Sequence, residues 1–247
     1  MNNLFNKTYM NHFFCNLLCF LMVGAVSPAF TQHDIASPEQ FLGYPLGTQF
    51  TYHHKVVDYF DYVAKTSINV KLEEYGSTFE RRPLVAAIVS SAENIKNIER
   101  LRKNNLIVAG FLKGKIEGDL KPIIWLSYNI HGDEAAGTEA ALKTLHHLIS
   151  DKNVKKWLDD VIVILDPCEN PDGRDRYANW YNRVVNHTPN TDMNSVEHNQ
   201  DWPGGRYNHY LFDLNRDWAW QTQIESASRS KLYHQWMPHI HADLHEM

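Results

Sequence analysis

The 247-residue chain has only three cysteines, Cys15, Cys19 and Cys168, too few for a disulfide scaffold. It has no excess of positive charge: 24 Lys and Arg stand against 29 Asp and Glu, a net charge of −5. Such a chain offers no basic field for gripping nucleic acid. Internal repeats, low-complexity tracts and a Pro- or Ser-rich linker are also missing, so repeat arrays and strings of tethered modules are excluded. Past residue 31 no apolar run is long enough to span a bilayer. What remains, with 43% hydrophobic and 21% charged residues, is the composition of a globular protein, neither disordered nor coiled coil.

The first thirty residues differ from the rest. Lys7 is the only formally charged side chain before Asp34, and residues 13–25 are apolar apart from Asn16. Small residues follow, around Gly24-Ala25 and Ser27-Pro28-Ala29. A short apolar core before small residues reads as a secretory signal peptide over 1–31, cleaved between Ala25 and Thr31. An N-terminal membrane anchor is the alternative reading. Leu18 before Cys19 is not the small residue a lipoprotein site needs. The expectation is a secreted or periplasmic protein, soluble after signal removal and without internal disulfides.

Residues 32–50 carry prolines and glycines and read as an extended lead-in to a domain over 51–247. Val56, Val57, Phe60 and Val63 recur at helical spacing and predict a helix over 51–64. Alternation of Ile68, Val70 and Leu72 predicts a strand over 68–75, closed by a turn at Gly76-Ser77-Thr78. Apolar, β-rich runs predict strands over 84–89, 123–128 and 161–165. Helices are expected over 92–103 and 135–150. Strands interleaved with helices imply one α/β domain, a mixed and largely buried sheet flanked by helices.

Three polar constellations fall at element ends. In His131-Gly132-Asp133-Glu134, imidazole and carboxylate three residues apart reach one side of a single turn and could share a Zn²⁺; a Gly turn with acids near a helix start is the other reading. The run Asn170-Pro171-Asp172-Gly173 reads in isolation as a loop. Cys168, just before it, has nothing adjacent to lower its pKa and reads as a small buried residue. The third set is Asp213-Leu214-Asn215-Arg216-Asp217-Trp218, followed by His239, His241 and His245 near the chain end. Asn-Arg can hold a carboxylate, or Arg216 can pair with Asp213 or Asp217. The residues alone leave the three histidines equivalent as a further ligand.

In order, His131-x-x-Glu134, Asn170-Pro-Asp-Gly173, Asp213-x-Asn215-Arg216-Asp-Trp218 and Asp243-Leu-His245 resemble the zinc metallocarboxypeptidases of the carboxypeptidase A type. The resemblance implies one Zn²⁺ per chain held by His131, Glu134 and His245, with the fourth position open. It implies that Asn215 and Arg216 bind the substrate's terminal carboxylate and that Asp213 orients a ligand imidazole. The expected substrate is a peptide with a free C-terminal carboxylate, its C-terminal residue removed by hydrolysis. The family also carries an arginine after the Asn-Pro-Asp-Gly turn that polarises the scissile carbonyl. Here Asn186 falls at the matching place, Arg183 is the nearest candidate and Arg176 a poorer one. The family's general-base Glu and a substrate-binding Tyr lie downstream of the third ligand, whereas this sequence stops two residues after His245. The expectation is therefore the N-terminal portion of a longer catalytic domain. Two other readings stay open: a zinc amide hydrolase acting on N-acyl amino acids or cell-wall peptides, and a non-catalytic zinc-binding fragment.

Overall fold

The computed structural model describes residues 35–188 and 190–246; the segment read as a signal peptide lies outside them. Five strands, β1 (Val70–Ser77), β2 (Pro83–Val89), β3 (Ile123–Tyr128), β4 (Ile162–Asp166) and β5 (Ile240–Leu244), form one sheet in the order β1-β2-β4-β3-β5. The pairs β1/β2 and β2/β4 are antiparallel, and β3 runs parallel to both β4 and β5. The sheet is therefore mixed, as expected.

Alternate residues of the central strands point to opposite faces, and both faces are buried. On one, Ala87, Val89, Val163 and Leu165 pack with Val56, Tyr59, Phe60 and Val63 of α2 (His53–Thr66) and with Ala141, Leu142 and Leu145 of α5 (Ala136–Ser150). On the other, Ile88, Trp125, Ile162 and Ile164 pack with Ile98 and Leu101 of α4 (Ile98–Val108) and with Leu232 and Trp236 of α7 (Ile224–Trp236). Burial on two sides makes these strands near-continuous apolar runs.

Differences from the sequence reading are local. The lead-in contains a short helix, α1 (Pro38–Leu42), opened by a capping box in which Ser37 and Gln40 bond each other's backbone. The helix expected over 92–103 is two, α3 (Ala92–Lys96) and α4, broken at Asn97. Ile68 is 74% exposed and lies outside β1, which instead runs on through an irregularity at Glu74/Gly76 to Ser77. Asn170-Pro171-Asp172-Gly173 is the start of α6 (Pro171–Val184). Asn170 accepts from Gly173 N at 3.0 Å as the N-cap, and Pro171 takes the first helical position.

Candidate metal centre

The C-terminal ends of β3 and β5 lie side by side, and loops leaving them converge. Asn129 follows β3 with φ 60°, a left-handed conformation that Asn tolerates better than most residues. Its amide donates to the carbonyls of His131 (2.6 Å) and Glu134 (2.9 Å), folding the loop between them. Gly132 is required here: a Cβ on it would collide with the backbone of Gly173, Arg174 and Gly205.

Arg174, fully buried, braces the same loop from α6. Its guanidinium donates to Ala135 O (2.7 Å), Asn129 Oδ1 (3.2 Å), Thr51 O (3.0 Å) and Glu139 Oε1 (2.6 Å). Glu139 also accepts from the Thr51 backbone N–H (2.7 Å) and hydroxyl (2.8 Å).

On this frame His131 and His245 turn the same ring atom toward one carboxylate. His131 Nδ1 lies 2.7 Å from Glu134 Oε1, and His245 Nδ1 lies 2.8 Å from Glu134 Oε2. Ligand atoms of all three lie within 4.8 Å of one another, the one such group among the described residues. Two imidazole nitrogens and a carboxylate are the donor set of a catalytic zinc site with a position left open, so the residues fit that ion. Each ring has a second carboxylate behind it: Asp213 Oδ1 is 3.1 Å from His131 Nε2, and Asp243 Oδ2 is 3.2 Å from His245 Nε2. Burial lowers the His245 pKa, but hydrogen bonding to Glu134 and the charges of Asp243 and Glu134 outweigh it, leaving the pKa raised. Burial pushes Asp213 the other way and is outweighed by its bond to His131, its bond from Asn215 N and the charge of Arg206, so its pKa is lowered.

The other two histidines of the C-terminal cluster have backbone or hydroxyl partners. His239 Nδ1 accepts from Ile123 N at 3.0 Å, and His241 Nε2 lies 3.0 Å from Ser127 Oγ. Asn215 borders the trio, its Nδ2 3.4 Å from His245 Nε2. Arg216 is exposed and makes no ion pair among the described residues; Asp213 is engaged with His131, and Asp217 accepts from Thr222 and Gln223. Glu246 accepts from Gly137 N, near the start of α5, at 3.1 Å.

Arg183 is not at the centre. The N-terminus of α6 packs on Gly132, and Arg183 lies ten residues beyond Gly173 in that helix, roughly 15 Å along its axis. It faces a cleft with Glu80, Asp172 and Trp202. Arg176 donates to the carbonyls of Gly204 (3.0 Å), Tyr207 (3.3 Å) and Asn208 (3.3 Å), holding the loop that contains Arg206. Arg206 is the cation at the centre, 3.7 Å from Glu134 Oε1 and 3.5 Å from Asp213 Oδ2. No pattern in its Gly204-Gly205-Arg206 surroundings marked it; only the α6 contact does.

Residues 56–240 match the model of the zinc carboxypeptidase family. The chain belongs to that family. The match includes His131, Glu134, Asn215 and Arg216 and ends before His245. Among solved structures, the zinc carboxypeptidase fold recurs in a metallo-carboxypeptidase from Burkholderia cenocepacia (TM-score 0.51, 18% identity, 78% of this chain and 40% of that one). It recurs in carboxypeptidase A from Helicoverpa armigera (TM-score 0.52, 16% identity, 99% and 54%). Thrombin activatable fibrinolysis inhibitor shares it as well (TM-score 0.52, 16% identity, 81% and 48%). The chain thus spans between two-fifths and just over half the length of these proteins. No curated protein sequence matches it significantly. Among the described residues no helix is long and apolar enough to cross a membrane.

Proposed function

We propose that the chain carries the zinc-binding and carboxylate-recognising part of a metallocarboxypeptidase that removes C-terminal residues from peptides. The observation that carries this reading is the convergence of His131, Glu134 and His245 beside Asn215 and an Arg216 that has no acidic partner among the described residues. His131, Glu134 and His245 would hold one Zn²⁺. Bound there, zinc supplies Lewis-acid polarisation of a peptide carbonyl and lowers the pKa of water.

The chain's own residues do the rest. Arg216 and the Asn215 amide receive the free carboxylate of the substrate, which sets the scissile bond at a fixed distance from the metal. Arg206 donates to the carbonyl oxygen as negative charge develops on it; its tie to Asp213 and Glu134 keeps the guanidinium in place. Asp213 fixes the His131 ring through Nε2. The N-terminal segment, read as a signal peptide, would deliver this activity outside the cytoplasm.

The test uses zinc-loaded protein with peptides whose C-terminus is free or amidated. A charge-assisted pair is worth about 1.5–3 kcal/mol, so amidation should weaken binding roughly ten- to more than a hundredfold. Arg216→Ala should weaken the free peptide by a similar factor while adding little to the loss from amidation, since both remove one interaction. Zinc content should not change. Independent, additive losses would remove Arg216 from substrate binding, and equal binding of free and amidated peptides would rule out recognition of the terminal carboxylate.

A further inference from the structure

At the end of β5 a hydrogen-bonded relay that starts from the buried Ser127 reaches a ligand candidate. Ser127 and Asp243 are Cα partners across the parallel β3/β5 pair. Ser127, fully buried, lies 3.0 Å from Asp243 Oδ1 and 3.0 Å from His241 Nε2. A hydroxyl has one proton to give, so with Ser127 donating to the carboxylate it accepts from His241 Nε2–H. The His241 ring is itself packed against Trp218 (5.6 Å) and Tyr233 (5.4 Å). Asp243 Oδ2, the other oxygen, is the one 3.2 Å from His245 Nε2.

We infer that Asp243, anchored by Ser127, is a positioning residue that fixes the His245 ring with Nδ1 toward the metal. The inference rests on the reading of His245 as a ligand. A ring that binds a cation through Nδ1 has its proton on Nε2 and needs an acceptor there. Asn215 Nδ2, 3.4 Å from the same nitrogen, is a donor and cannot serve. Asp243 is the acceptor present, and its second oxygen is held by a neighbouring strand rather than by a loop. Asp213 has the same relation to His131, though it lies in a short 3₁₀ segment's cap. The third ligand is thus the one braced by the sheet itself.

The test is zinc affinity of the full chain, read by competition with a chelator, together with the His245 Nε2–H signal in NMR spectra of the zinc-loaded protein. Asp243→Asn should lower zinc affinity about 10–100-fold and make the His245 Nε2–H exchange rapidly with water, leaving the His131 signal unchanged. Ser127→Ala should move both readouts in the same direction by less. The double variant should be no worse than Asp243→Asn alone. If Asp243→Asn does not fold, Ser127→Ala decides, with unchanged readouts overturning the inference. Unchanged affinity and exchange in a folded Asp243→Asn also overturn it, as does loss of both on Asn215→Ala with retention in Asp243→Asn. His245→Ala separates the two readings: undiminished zinc binding there refutes the ligand assignment, whereas lost zinc with an unaffected Asp243→Asn refutes only the positioning role.

Discussion

Replacing Arg174 with Met should unfold the protein more readily and loosen the centre together. The side chain is 0% exposed and Glu139 is 8% exposed, so their 2.6 Å pair lies inside the protein. Met fills similar volume but leaves Glu139 a buried carboxylate with only Thr51 as partner. Removing one member of a buried pair costs about 3–5 kcal/mol. In a domain of this size each kcal/mol shifts Tm by roughly 2–4 °C, so a fall of about 6–20 °C is expected. The carbonyl of Ala135 and the side chain of Asn129 lose their donor as well, so zinc affinity should fall although Arg174 touches no ligand. Calorimetry on metal-free protein separates the stability effect from metal binding. Arg174→Met with Glu139→Met should recover much of the loss, because both buried charges are then gone. A fall in Tm under 3 °C, or a double variant worse than the sum of the singles, would refute this account of the brace.

Gly132→Ala should disrupt the centre, because the added methyl meets backbone rather than a yielding side chain; zinc binding lost more than tenfold is expected, and wild-type affinity would show that the loop and α6 do not pack this closely. His53 gives a pH dependence. Burial drives its pKa down from 6.5 to about 4, against the bond to Pro83 O and the charge of Asp175. Between those values the unfolded chain binds a proton that the folded one refuses. The contribution is therefore full above pH 6.5 and is lost as pH falls toward 4, on the order of 3 kcal/mol. Stability curves of wild type and His53→Gln should converge over that window; parallel curves would contradict the shift.

Much of the fold was legible because β2, β3 and β4 are buried on both faces and carry unbroken apolar runs, while α2 and α5 show one apolar stripe. The start of α6 was hidden because Asn-Pro-Asp-Gly serves a turn and a helix N-terminus equally well; only the helix that follows distinguishes them. The break at Asn97 was invisible for a similar reason. Asn94, three residues earlier, turns its amide to the carbonyls of Leu158 and Asp159, partners far away in sequence. At the centre, His131 and Glu134 are neighbours on one turn and could be paired from spacing. His245 could not be told from His239 and His241 locally; only the fold sets His239 against Ile123 N, His241 against Ser127 and His245 against Glu134. Arg206 had no local signature at all, since Arg176 and the glycine contacts of α6 bring its loop to Glu134.

Zinc content after reconstitution of metal-free protein tests the centre most directly, measured by elemental analysis on wild type and four single variants. Wild type should hold one Zn²⁺ per chain, and His131→Ala and His245→Ala should hold almost none. His146→Ala and His239→Ala should match wild type, because these rings bond the backbone of Ile35 and Ile123 and take no part in the trio. Equal zinc in all five proteins, or loss in His239→Ala with retention in His245→Ala, would contradict the assignment of the metal centre.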